Sequence, residues 1–251
     1  MRDKGVKQIA DCLKAFRKSD NNEELLSENL KKVFKKNFPG ISLVEKFTPT
    51  FALALLLSGN LTQDVYQTLR NELKEKFPSY HDILREKQLA LPRNITITEE
   101  VCEVDLQSLL NHTVIRLLEF ISLDNINSND FTLYLKYGSD GSSGHSMYKQ
   151  IFSNFGQSDS HIYITALVPL ELRSNETGKI VWENSRTSSF LYTRPVRLQM
   201  IRENSDVILE EHHYLKQKIS QLQIFKYKNK NFQYNLLFTM IDGKVNYAYI
   251  I

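Results

Sequence analysis

The sequence has little cysteine and no long apolar segment. Cys12 and Cys102 are its two cysteines, too few for a disulfide framework or a cysteine-rich zinc site. The longest apolar run, residues 51–57, is about a third of the roughly 20 residues needed to cross a bilayer. The first residues lead into an amphipathic pattern and not into a signal-peptide core. These absences predict a protein of a reducing compartment, the cytosol or the nucleus.

The chain also lacks a strong net charge, but its charge is unevenly placed. The formal net charge is +3 over 251 residues. Residues 1–50 carry 11 lysines and arginines against 7 acids, a balance of +4, whereas the other 201 residues carry 21 against 22, a balance of −1. A basic N-terminal region on a nearly neutral body indicates an anionic partner for that region.

Four lysines lie close together on one predicted amphipathic helix of this basic region. They are Lys31, Lys32, Lys35 and Lys36. One interpretation is a solvated helix face, partly paired because Glu28 and Lys32 are four residues apart. The other is a contact surface for the phosphates of double-stranded DNA, whose affinity would depend steeply on salt.

The hydrophobic period changes near residue 125. Before that point apolar residues recur at helical spacing, which predicts helices up to about residue 122, with a short extended piece at 95–97 and one long helix at 99–121. Beyond it the pattern predicts strands at 131–137, 161–172, 180–183, 190–200 and 232–241, with a helix at 206–222. The sequence therefore predicts an α+β protein with a helical N-terminal half. The predicted regions are a helical DNA-binding or dimerisation region (1–92), a helical connector (93–130) and a sheet-containing domain (131–251).

The main candidate for chemistry is Asp140, which follows the predicted strand 131–137 and enters the Gly/Ser-rich segment 138–146. Two-metal phosphoryl transfer uses carboxylates that hold a pair of divalent cations, and Mg²⁺ prefers oxygen ligands. A carboxylate at a strand end could supply such a ligand. The alternative is a simple turn, because Asp and Gly dominate turns for backbone reasons.

Three other acidic or histidine-containing positions have stronger structural interpretations. Asp242 follows the last predicted strand as a second candidate ligand, but Asp242-Gly243 is also a typical two-residue hairpin turn. His145 could assist proton transfer, although a loop histidine is more often merely exposed. A polar cluster on the predicted helix 206–222 is expected to be a solvated face and not a metal site; it comprises Glu210, Glu211, His212 and His213.

Three segments of the chain resemble the Transib transposases and the related catalytic subunit of the V(D)J recombinase. The first is GSDGSSGHS at 138–146 with YKQ at 148–150, and the others are 180–221 and 238–245. The resemblance implies a ribonuclease-H-like mixed sheet, here incomplete, with Asp140 as the first metal ligand and a catalytic residue. It also implies Mg²⁺ or Mn²⁺ as cofactor, double-stranded DNA as partner, a homodimer and a nuclear location.

The resembled family cleaves and joins DNA strands at terminal repeats with divalent metal. Its second aspartate, its glutamate and a cysteine-containing insertion belong to later family segments that this sequence does not contain. The sequence therefore predicts a truncated or remnant transposase that is inactive as this chain alone. The alternative is a non-catalytic, transposon-derived protein that binds DNA or a protein partner.

Overall fold

The structure, a computed structural model, describes most of the chain between residues 46 and 240. The described ranges are 46–59, 61–72, 74, 76–123, 126–144, 152–153 and 158–240. Several predicted site residues lie outside them, namely Lys31, Lys32, Lys35, Lys36, His145 and Asp242. The chain divides into two compact units, one ending at Leu91 and the other beginning at Pro92. Within the described ranges no helix is both long and apolar enough to span a membrane.

The described part of the first unit contains three helices, α1 (Pro49–Gly59), α2 (Gln63–Glu72) and α3 (Tyr80–Leu89). Tyr66 is fully buried among them, and its hydroxyl donates to the carbonyl of Pro78 at 2.8 Å. Burial raises the pKa of Tyr66 to about 12. Ser79 and Asp82 form a capping box at the start of α3, which satisfies two backbone N–H groups of that helix end. The predicted helices of this segment are thus confirmed.

The second unit is built on an eight-stranded mixed sheet. Its strands are β1 (Ile95–Ile97), β2 (Val101–Val104), β3 (Asp130–Ser143), β4 (His161–Ser174), β5 (Ile180–Glu183), β6 (Arg194–Gln199), β7 (Phe225–Tyr227) and β8 (Lys230–Met240). They lie in the order β1-β2-β6-β4-β3-β8-β7, and β5 pairs with β4 outside this path. Helices and a mixed sheet make the chain an α+β protein, as predicted.

β3 is an interior strand of the sheet, which lies between an antiparallel and a parallel neighbour. β4 pairs with it antiparallel, so that Asp140 is opposite Ile164. β6 continues the antiparallel order on the far side of β4. β8 pairs with β3 in parallel, and Gly138 is opposite Met240. The strands within residues 131–203 thus pair antiparallel with one another.

Two helices and the sheet enclose the main core of this unit. They are α4 (Leu106–Leu118) and α5 (Ser205–Ser220). Successive residues of a strand point to opposite faces, and β3 alternates between buried and half-buried side chains along most of its length. Asn204 caps α5 by accepting a hydrogen bond from the Val207 amide at 2.9 Å, which fixes where the chain turns from β6 into α5.

The prediction of helix up to about residue 122 is wrong in one region. The segment predicted as a helix at 99–121 is a strand at Val101–Val104 and becomes helical only at Leu106. Asp105 ends the strand and caps the helix, accepting from the Ser108 amide at 2.8 Å. β2 forms because β6 supplies its backbone partners from almost a hundred residues away. Residues predicted as a helical connector are therefore part of the sheet of the second unit.

Two further differences concern strands. Asp140 was expected just past the end of its strand, but β3 continues to Ser143 because each of its residues finds a partner on β4. β7 was not predicted at all. It forms a tight hairpin with β8, in which Lys228 and Asn229 both adopt positive φ angles, 49° and 60°. Such turns favour Gly or Asn, and only Asn229 fits that preference.

Candidate functional site

Asp140 lies near the C-terminal end of the interior strand β3 and is exposed to solvent. Its neighbours on both sides are held by the sheet, because Ser139 pairs with Thr165 and Gly141 pairs with Tyr163. The Asp140 carboxylate forms no hydrogen bond or ion pair with any residue that the structure describes. An acid on a rigid strand without a protein partner is free to bind a ligand.

A second carboxylate, Glu203, lies against the same point of the strand. It belongs to the short segment between β6 and α5. A Cβ atom placed on Gly141 would lie only 2.6 Å from the Glu203 Cβ and 2.6 Å from its Oε2. Gly141 therefore permits this close approach, since a larger residue would displace Glu203. The half-buried Glu203 also has no hydrogen-bond partner among the described residues.

The pKa of a buried tyrosine depends on both carboxylates. Tyr163 is 0% exposed, and its hydroxyl shares a 2.6 Å hydrogen bond with the Ser139 hydroxyl. Burial raises the pKa of Tyr163, and the negative charges of Glu211, Glu203 and Asp140 raise it further, against the opposing effect of the Ser139 hydrogen bond. The neutral phenol is thus favoured near these carboxylates.

A cleft of about 230 Å³ opens beside Glu203 at the end of β3. Its wall consists of Gly141, Ser142, Ser143, His161, Arg202 and Glu203. The His161 ring Nδ1 is 2.8 Å from the hydroxyl of Ser160, which orients the imidazole. Hydroxyl, imidazole, guanidinium and carboxylate groups therefore meet at the end of β3, next to Asp140.

A third carboxylate in this part of the unit has the opposite environment. Glu211 on α5 is only 2% exposed. It accepts hydrogen bonds from Thr165 Oγ1 at 2.7 Å, Arg197 Nη1 at 2.8 Å and Gln199 Nε2 at 2.9 Å. A buried charge is tolerated when it is paired and its lone pairs are satisfied. Glu211 therefore attaches α5 to β4 and β6.

The same arginine extends this arrangement to β2. The Nε of Arg197 is 3.5 Å from Glu103 Oε2, and the Tyr214 hydroxyl donates to Glu103. The Arg197 guanidinium also lies 4.5 Å from the centroid of the Tyr214 ring, a cation–π contact. We call this set the buried carboxylate network; its members are Glu103, Thr165, Arg197, Gln199, Glu211 and Tyr214.

The predicted polar cluster on α5 is therefore only partly a solvated face. Glu210 and His213 are exposed as expected, but Glu211 is buried. His212 is half-buried, its ring centroid 5.1 Å from that of Phe238. Burial lowers the pKa of His212, and nearby His213 and Lys216 lower it further. The helical period places Glu210 and Glu211 on different faces, but only the packing of α5 on the sheet decides which face is buried.

Asp140 thus remains a candidate ligand, and the structure shows further residues at this end of β3 that the sequence did not indicate. Glu203, Arg202 and Tyr163 were missed because their sequence neighbourhoods carry no motif. The only feature that the three residues share is that they lie close to strand ends. That feature could be recognised only once the pairing of β3 with β4 was known. Among the described residues, no group of three or more His, Cys, Asp or Glu side chains is arranged to hold a metal ion.

The chain matches no protein-family model and no curated protein. The family resemblance rests on the residues quoted above.

Proposed function

We propose that this chain is part of a Transib-like transposase, related to the catalytic subunit of the V(D)J recombinase, which binds double-stranded DNA and uses Asp140 as a ligand for Mg²⁺ or Mn²⁺. The observation that carries the proposal is the placement of Asp140. The one acid of the most specific resembling segment, GSDGSSGHS, is exposed and has no partner among the described residues, on the interior strand β3. A turn aspartate would have no reason to occupy that position.

The order and direction of the strands support a ribonuclease-H-like domain. Three antiparallel strands, β3, β4 and β6, are followed by α5, and β8 then returns parallel to β3. A parallel neighbour requires a crossover connection, here made by a helix. This is the arrangement expected of the opening of such a domain, a mixed sheet flanked by helices.

The donor atoms around Asp140 suit a hard divalent cation. Asp140 offers carboxylate oxygens, which Mg²⁺ prefers, and Mg²⁺ commonly keeps several waters when a protein supplies only one or two carboxylates. When bound, such a cation would supply electrostatic stabilisation of a phosphoryl group. Asp140 would hold the cation, and the rigid pairing of β3 would fix its position.

Manganese binding tests this proposal without relying on catalysis. The wild-type chain should reduce the electron paramagnetic resonance signal of free Mn²⁺ in a saturable manner. Asp140→Asn should abolish the tight phase because a neutral amide is a weak ligand for a hard cation. Glu210→Gln, an exposed acid on α5, is the matched control and should behave as wild type. Equal Mn²⁺ binding by the Asp140→Asn and wild-type chains would contradict the proposal.

The same preparations test the expected lack of activity. We propose that this chain alone does not cut DNA, because one family-matched acid cannot hold two metal ions in register. Incubation of a supercoiled plasmid with Mg²⁺ or Mn²⁺ should leave it intact. Metal-dependent nicking that disappears in Asp140→Asn would show that other acids complete the site. Asp242, two positions beyond Met240 in the sequence, would then be the first to replace.

DNA binding by the basic N-terminal region is the second part of the proposal. If Lys31, Lys32, Lys35 and Lys36 each neutralise a phosphate, the log–log salt dependence of binding should have a slope of about −3 to −4. Replacing all four with glutamine should flatten that slope. Anisotropy of a fluorescent duplex at several salt concentrations measures it. An unchanged slope would assign these lysines to a solvated helix face.

The alternative function is a non-catalytic, transposon-derived DNA-binding protein. The uneven charge favours it, since the basic N-terminal region could bind DNA without help from Asp140. The two functions differ in the Mn²⁺ experiment. Only the transposase-related function requires a cation at Asp140.

A further inference from the structure

We propose that a cavity at the β7–β8 hairpin binds a small organic anion with an aromatic body, such as an aromatic carboxylate. The cavity has a volume of about 460 Å³, and small-molecule sites commonly measure about 300–1,000 Å³. Its lining comes from two segments of the second unit. One is residues 118–123, at and after the end of α4, and the other is residues 227, 228 and 230 of the hairpin.

Much of the lining is apolar or aromatic, which suits the body of such a ligand. These residues are Leu118, Phe120, Ile121, Leu123 and Tyr227. Phe120 is 85% exposed, so its ring contributes little to the core and remains available to a ligand. An aromatic ligand gains from burying its apolar area and also from the geometry of ring contacts.

Two ammonium groups of the lining have no carboxylate partner among the described residues. The Lys228 Nζ lies 5.5 Å from the centroid of the Tyr227 ring. The Lys230 Nζ donates to the Ser128 carbonyl at 2.6 Å and to Asn129 Oδ1 at 3.3 Å. These acceptors are neutral, so both positive charges remain uncompensated. A ligand anion could supply the missing negative charge.

The acid that lines the same cavity, Glu119, is already paired. Its Oε1 lies 2.9 Å from Arg116 Nη1. The charge that remains in the lining is therefore positive. A neutral apolar ligand would leave both ammonium groups unpaired, and a small inorganic anion would leave the apolar lining uncovered. Charge complementarity thus favours a ligand that carries an anionic group on an aromatic body.

The backbone holds Lys228 in an uncommon conformation at this cavity. Its φ angle is 49°, in the left-handed region that non-glycine residues other than Asn and Asp rarely adopt. The pairing of Tyr227 with Lys230 closes the hairpin around it. Strained residues of this kind are common at ligand sites. The conformation also provides a clean substitution, because Asn accepts a positive φ and removes the charge without disturbing the turn.

The experiment follows the backbone amide signals of Phe120 and Tyr227 in the full chain by ¹H–¹⁵N NMR. The probes are 2-naphthoate, its uncharged analogue 2-naphthamide, and acetate. Naphthoate should shift these signals in a saturable manner. Naphthamide should bind at least about fivefold more weakly, because it cannot pair with the ammonium groups. Acetate should bind more weakly than naphthoate because it lacks the apolar body.

Substitutions separate the charge from the apolar lining. Lys228→Asn should weaken naphthoate binding about fivefold and leave naphthamide binding unchanged, whereas Lys228→Arg should bind naphthoate as wild type does. Phe120→Ala, followed by the Tyr227 signal, should weaken both naphthoate and naphthamide about three- to tenfold through the lost ring contact. The matched control is Lys226→Gln, an exposed lysine of β7 that does not line the cavity, and it should change neither titration.

Three results would overturn the inference. The first is the absence of a saturable response to naphthoate. The second is equal binding of naphthoate by Lys228→Asn and wild type, which would leave the lysines only to balance the negative C-terminal end of α4. The third is a short DNA duplex that shifts the same signals at lower concentration than naphthoate does and loses this response in Lys228→Asn. That result would assign the surface to nucleic acid and not to a small ligand.

Discussion

Three acids of the second unit have contrasting surroundings. Asp140 is exposed and Glu203 is half-buried, whereas Glu211 is buried. Glu211 is 2% exposed and accepts three hydrogen bonds, one of them from Arg197. Asp140 and Glu203 receive none from the described residues. All three still act on one side chain, since each raises the pKa of Tyr163.

The difference separates a structural acid from acids available for binding. Burying a carboxylate is costly unless it is fully paired, so Glu211 is stable only as part of the buried carboxylate network. Asp140 is exposed and Glu203 is half-buried, so both side chains retain contact with water. Such an arrangement contributes little to folding and leaves ligand positions open.

The largest expected effect is on the free energy of unfolding, when Glu is replaced by Gln at each of the two kinds of acid. Glu211→Gln should lower the free energy of unfolding by about 3 kcal/mol, because it leaves the largely buried Arg197 charge with only its longer, 3.5 Å contact to Glu103. Glu203→Gln should change it by less than about 0.5 kcal/mol, as expected for a side chain without partners. Urea unfolding followed by the fluorescence of Trp182, the single tryptophan, reports on the second unit, since Trp182 packs against its main core.

Glu210→Gln is the control for helix α5 in that experiment. It changes an exposed acid next to Glu211 and should leave stability unchanged. Equal losses for Glu203→Gln and Glu211→Gln would remove the distinction between the two kinds of acid.

An intermediate loss of stability is expected from a substitution at Gly141, where Glu203 approaches β3. Gly141→Ala places a methyl group 2.6 Å from the Glu203 Cβ, so it should cost about 1 to 3 kcal/mol of stability through overpacking and weaken Mn²⁺ binding. In a Glu203→Gly background the same alanine should be tolerated, because the clashing Cβ is gone. The double-mutant cycle should therefore show coupling of at least about 0.5 kcal/mol. Additive losses would mean that the two residues do not touch.

The smallest expected effect is on the pKa of Tyr163, and it tests how near Asp140 and Glu203 lie to this residue. Asp140→Asn and Glu203→Gln should each lower the pKa of Tyr163, since each removes a charge that raises it. Glu210→Gln should not. The ¹³Cζ signal of Tyr163, assigned with Tyr163→Phe, follows the titration. No change in either variant would place these acids too far from Tyr163 to form one site.

The raised pKa of Tyr163 also predicts how the stability of the fold depends on pH. The folded pKa of Tyr163 lies above the ordinary value, so the folded state keeps its proton longer than the unfolded chain does. Its contribution to stability is fully present below about pH 10 and is lost as the pH rises through the folded pKa. Tyr163→Phe should reduce this alkaline loss.

Local patterns predicted most of the elements in the described residues. The helices at Pro49–Gly59, Tyr80–Leu89 and Ser205–Ser220 follow from apolar spacing and capping residues, and the long strands follow from apolar runs bounded by polar segments. The failures were at Val101–Val104 and Phe225–Tyr227. Both are short strands whose stability comes from partners elsewhere in the chain, and a short window cannot contain such partners.

The sequence by itself determined the α+β class and offered Asp140 as a candidate ligand, because hydrophobic period, turn residues and a local motif are properties of neighbouring residues. Only the tertiary structure decided that Glu211 is buried, that Glu203 lies against Gly141, and that β8 runs parallel to β3. These facts depend on contacts between distant segments. The free energy of such contacts comes from burial, pairing and close approach, which exist only once the sheet has brought those segments together.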